Sequence, residues 1–148
     1  MLRLTIYAIG DKVIIPTVSK TRSGYYLETE PVSVIRLSDL SLTEVLQDAL
    51  RRGNPTIPTP SRANYPKPVV LKYAGVNAWN KFAAAAQSWN LTERDGKYFL
   101  APSKSDAESV YWGTKEKLVI PVDQDTGQPD AKLIIDTIAS HIKSRENK

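Results

Sequence analysis

Apolar residues fall in short, separated runs at the start of the chain. Leu4 and Ile6, then Val13, Ile14 and Ile15, mark β-rich stretches at 2–9 and 12–18, and the turn dipeptide Gly10-Asp11 lies between them. This pattern predicts a first hairpin. After a polar loop at 20–24, the residues Tyr25, Leu27, Val32, Val34 and Leu37 predict a third strand over 25–37. Pro31 interrupts it in the manner of an edge strand or bulge. The period then changes. Leu42, Val45, Leu46, Ala49 and Leu50 recur at helical spacing, so 41–52 reads as an amphipathic helix. Ser41 and Glu44 have the spacing of a capping box, and Arg51, Arg52 and Gly53 suit a helix C-terminus.

Residues 54–68 hold five of the ten prolines. Each proline removes a backbone donor and fixes φ, so neither a helix nor a central strand tolerates that density. Neither flanking half alone would bury much core, and the segment therefore reads as a long surface loop of one domain spanning 1–148. Beyond it, Pro68 to Tyr73 reads as a strand from its β-branched content. A helix from Asn77 to Ser88 follows, with Trp79, Phe82, Ala83 and Ala86 on its inner face. Residues 89–93 and 97–101 predict a hairpin about Asp95-Gly96, and 109–113 with 117–122 predict another strand pair. Asp130 can cap a last helix whose Ile134, Ile135, Ile138 and Ile142 share one face. The order predicts an α+β fold: a single domain, mainly antiparallel sheet, with about three helices.

Composition narrows the chemistry. With 148 residues, 41% hydrophobic and 24% charged, the chain has the make-up of a folded globular domain. It has no cysteine, which excludes a disulfide scaffold, a thiol nucleophile and cysteine-ligated metal. The single histidine, His141, excludes a multi-histidine metal site within one chain. Its position near the end of the last helix reads as a surface imidazole at the negative pole. Asp123, Asp125 and Gly127 echo a calcium loop, but Ile134 stands where that loop needs a bidentate Glu. No glycine-rich phosphate loop is present. These observations predict no enzyme activity, no cofactor and no metal. The absence of a leader-like or membrane-length apolar stretch predicts a cytoplasmic protein with no membrane partner.

The net charge of +4 conceals an asymmetry. Between Leu27 and Asp48 five acids, Glu28, Glu30, Asp39, Glu44 and Asp48, stand against Arg36 alone. The functional reading is an acidic face that steers association with a basic protein partner; the bland reading is the solvated outside of a strand and a helix. Tyr25 and Tyr26 at the start of the same strand are candidate anchors, with core packing as their alternative. Arg62, Tyr65, Lys67, Lys72 and Tyr73 offer a second class of function, a single-stranded nucleic-acid module with aromatic stacking.

Several phrases together resemble a known family. Gly24-Tyr25-Tyr26-Leu27-Glu28, Pro31 to Ile35, Arg52-Gly53-Asn54-Pro55, Pro58-Thr59-Pro60 and Pro68 to Trp79 resemble the contact-dependent growth inhibition immunity proteins. The resemblance spans residues 5–120. It implies a small cytoplasmic antidote that binds the C-terminal toxin domain of a cognate effector, commonly a nuclease, as a heterodimer and occludes its active site. Immunity proteins to nucleases are often acidic, and this chain is net basic, so either the toxin is not a basic nuclease or the contact is made by a local acidic patch, which the 28–48 segment supplies. The resemblance carries over no set of contact residues.

Overall fold

In the computed structural model, which describes residues 2–102 and 118–146, the first hairpin forms as expected. Strands β1 (Arg3–Ile9) and β2 (Lys12–Thr21) pair antiparallel across Gly10-Asp11, with Tyr7 opposite Ile14. β2 runs three residues further than its apolar content predicts. Its second half carries Thr17, Ser19 and Thr21, which are buried yet hydrogen-bonded: the Thr17 hydroxyl donates to the Pro31 carbonyl at 2.8 Å, and the Ser19 and Thr29 hydroxyls lie 2.7 Å apart. Satisfied hydroxyls remove the penalty that would otherwise expel them from the interior.

β3 (Tyr26–Arg36) pairs with β2 and forms one edge of the sheet. The register shifts between Pro16 and Thr17, opposite the cis Glu30–Pro31 peptide, so the expected interruption at Pro31 is a bulge on an edge strand. Helix α1 (Leu42–Arg52) follows and buries Leu42, Leu46, Ala49 and Leu50. Ser41 does not cap it. Its backbone N–H and hydroxyl both donate to Asp39 Oδ1, at 2.9 and 2.7 Å, in place of a reciprocal bond with Glu44.

The proline-rich stretch is an exposed loop containing a two-residue strand, β4 (Thr56–Ile57), parallel to the end of β2, and a 3₁₀ turn at Arg62–Asn64. The strand expected over 68–73 is instead a short helix, α2 (Val70–Ala74). Adjacent Val70 and Leu71 are both buried, which a half-buried strand with alternating faces cannot achieve, and Gly75 closes the turn at φ 74°. Four helices of α type are therefore present among the described residues, one more than expected.

α3 (Trp79–Ala85) is shorter than the expected 77–88, because the chain leaves it at Ala86 to enter β5 (Gln87–Arg94). β5 and β6 (Lys97–Pro102) form the expected hairpin. Asp95 and Gly96 both take positive φ, 54° and 77°, as a two-residue turn of this hand requires. β7 (Leu118–Ile120) pairs with β6. The strand expected over 109–113 lies outside the described residues, as do Tyr111 and Trp112. Asp130 Oδ1 accepts the Leu133 N–H at 3.1 Å at the start of the last helix, α4 (Ala131–Glu146).

The strands order as β3-β2-β1-β5-β6-β7, antiparallel throughout, with parallel β4 beside β2. The fold is α+β and mostly sheet. On its first face Leu4, Ile6, Ile15, Trp89, Leu91 and Leu100 pack against α1 and α4, whose Ile134, Ile138 and Ile142 are buried as the helical period predicts. On the second face a smaller cluster joins Tyr7 and Ile14 to Val70 and Leu71 of α2 and to Phe82 and Ala86 at α3. His141 is not a lone surface imidazole. Its Nδ1 accepts the Trp89 indole N–H at 3.0 Å, with the two rings edge to face, so it joins α4 to β5.

Candidate functional site

Side chains alternate along each strand, and the register therefore determines what shares the second face. Tyr7 and Ser88 are opposite one another, as are Thr5 and Asn90, Arg3 and Thr92, then Thr92 and Phe99. α2 and α3 cover the Tyr7 end. A cleft of about 110 Å³ opens where that cover stops. Its floor is Thr5, Tyr7, Ser88 and Asn90; Trp79, Phe82 and Ala83 of α3 form its wall.

The cleft is polar below and aromatic at the side. Thr5 Oγ1 donates to Asn90 Oδ1 at 3.2 Å. Tyr7 stacks edge-on against Phe82 at 5.0 Å and Trp79 at 6.4 Å, and Trp79 itself is 44% exposed. The expectation that Trp79 lies on the inner face of its helix is thus met only in part, for the ring roofs an open cleft. Tyr7 also reaches across to β3 and donates its hydroxyl to Glu28 Oε2 at 2.6 Å. Burial raises the pKa of Glu28, and the Tyr7 hydrogen bond partly offsets that rise. Burial, then the charge of Glu28, pushes Tyr7 far above its ordinary range.

At the other end of this face are cations. Arg3 and Lys20 both lie over the Tyr26 ring, with their charged groups 5.0 and 6.0 Å from its centroid. Arg94 and Lys97 occupy facing positions on the β5–β6 hairpin, and by alternation they share the face of Arg3. All four are exposed, and none has an ion pair among the described residues.

The acids of the 28–48 segment do not form one face. Glu28 and Glu30 stand on the second face; Glu44 and Asp48 lie on the exposed side of α1, beyond the first. Glu30 accepts the Lys72 ammonium and the Tyr73 hydroxyl, each at 2.7 Å, and these two hydrogen bonds hold its pKa below the ordinary value. Asp48 is paired with Arg51. Asp39 binds the Ser41 N–H and hydroxyl, which lower its pKa. Glu44 is exposed in the first turn of α1. Tyr25 is 38% exposed at the β2–β3 turn, next to Tyr26 beneath its two cations.

The loop singled out for nucleic acid is likewise divided. Lys72 and Tyr73, on α2, are committed to Glu30 of β3, while Arg62, Tyr65 and Lys67 stay on the exposed loop. Asp123 accepts the Asp125 N–H at 2.9 Å in a local turn. Among the described residues, no three His, Asp or Glu gather as a metal site, and no helix is long and apolar enough to cross a membrane.

No family model matches the sequence, and no curated protein matches it. A solved structure similar to this chain is a protein of unknown function from Neisseria meningitidis. It is 16% identical over 72% of this chain and 76% of that one, with a TM-score of 0.48, a likeness that carries no argument about function.

Proposed function

We propose that this chain is a non-enzymatic binding protein of the immunity type, a cytoplasmic antidote that holds the toxin domain of a contact-dependent growth inhibition effector and covers its active site. The partner comes from the family resemblance. The observation that carries a binding role is the half-covered second face of the sheet, which holds an aromatic-walled cleft at one end and exposed cations at the other. Protein interfaces commonly have this make-up, with aromatic anchors near the centre and charge at the rim. The titratable pair closest to the cleft, Tyr7 and Glu28, is bonded to itself, an arrangement that serves packing more readily than proton transfer to a substrate.

The test is co-expression with the C-terminal domain of a large secreted protein encoded immediately upstream. A stable one-to-one complex and the loss of that domain's toxicity are expected. Separate elution of the two proteins, with growth arrest unrelieved, would discard the reading.

A further inference from the structure

Resting on that protein-binding reading, we infer that the partner docks on the second face of the sheet through a carboxylate-rich surface received by Arg3, Lys20, Arg94 and Lys97. The sequence directs attention to the acids at 28–48, whereas the fold reverses the electrostatic argument. Glu28, Glu30, Asp39 and Asp48 are each bound to a hydroxyl, an ammonium, a backbone amide or a guanidinium. Ion pairs offset the charges of Glu30 and Asp48 and burial disfavours that of Glu28, which leaves Asp39 and the exposed Glu44 as the charged acids of the five with no ion pair among the described residues.

The four cations present the opposite case. They reach one face from four strands, β1, β2, β5 and β6, and have no ion pair among the described residues. Acids adjoin them at three positions: Glu28 is tied to Tyr7 and burial disfavours its charge, Glu93 accepts the Leu2 N–H at 3.0 Å, and Asp95 stands in the hairpin turn. Unpaired like charges held together on a folded surface repel one another, and an opposite charge from a partner relieves that repulsion.

A phosphate backbone would also satisfy them, but the aromatic groups argue for protein. Base recognition uses open ring faces, and the Tyr26 ring has two cations over it. Trp79 is turned against Phe82, at 5.3 Å between centroids, in the wall of a cleft the size of one small side chain. A protein loop that brings carboxylates to the cations and one uncharged side chain to the cleft would match both ends of this face.

The full chain, labelled with nitrogen-15, is titrated at low salt with an acetylated octaglutamate peptide and with a thymidine octanucleotide of similar charge. Octaglutamate should shift the amides of Arg3, Lys20, Tyr26, Arg94 and Lys97. Arg3→Glu with Lys20→Glu, and separately Arg94→Glu with Lys97→Glu, should each weaken it about tenfold. Lys132→Glu on α4 should leave it unchanged. The hairpin pair keeps the test decisive should the pair on β1 and β2 impair folding. Shifts absent from these residues, equal loss with Lys132→Glu, or tighter binding of the octanucleotide would overturn the inference. Toxin capture that survives both double reversals would remove this face and leave the antidote reading in place. Octaglutamate binding without toxin capture would do the reverse.

Discussion

Tyr7 and Glu28 show how a side chain's role depends on register. They come together only because the shift between Pro16 and Thr17 brings Glu28 within reach of β1. Spacing along the chain carries no sign of this contact. Its consequence can be measured. Glu28 has a pKa raised from its ordinary value of 4.5, with burial the largest cause. The proton is therefore bound more tightly in the folded state. Its contribution to stability is fully present below the unfolded value and is lost as pH rises through the folded one. Glu28→Gln keeps an acceptor for the Tyr7 hydroxyl and removes the charge. Urea denaturation of both proteins should show the variant gaining on the parent from pH 4 to pH 7, while the lowered acids Glu30 and Asp39 cancel in the difference. Parallel curves would show that burial does not govern Glu28.

The elements divide by the strength of their periodicity. α1 and α4 were legible because long amphipathic stretches leave little ambiguity, and the Asp95-Gly96 hairpin was legible because few dipeptides accept two positive φ values. α2 was not. The run Val69-Val70-Leu71 satisfies strand propensity until the second face of the sheet demands that two neighbours be buried together. The two layers of cover also differ in depth. The α1–α4 layer belongs to the larger core, and the α2–α3 layer to a small cluster beside an open cleft. Amide exchange should accordingly be faster in α2 and α3 than in α1 and α4. Ile134→Ala, at a fully buried position on α4, should cost about 2–5 kcal/mol in denaturant unfolding. Uniform protection across the four helices would refute the difference in depth.

For the whole molecule, net charge and its distribution along the sequence were poor guides to the surface. The acidic segment is continuous in sequence and split in space, since β3 and α1 lie on different layers. The cationic group is scattered from Arg3 to Lys97 and gathered by pairing. Alternation within a strand can be read from a sequence, but the pairing of strands nearly ninety residues apart cannot. The α+β class was therefore legible, and the composition of the exposed face was not.

The pairing of β1 with β5 has one more consequence. β1 comes from the segment before the proline-rich loop and β5 from the segment after it. They share six residue pairs in the middle of the sheet, and α1 from the first segment packs with α4 from the second in one core. The loop between them, exposed from Ser61 to Pro68, contributes no strand there. A protease nick within that stretch should leave two fragments that remain associated and keep the parent's circular dichroism. Expressed separately, the same two pieces should reconstitute the fold on mixing, which would make this chain a candidate for split-protein complementation. Fragments that separate on a sizing column would show that the covalent link across the loop is required.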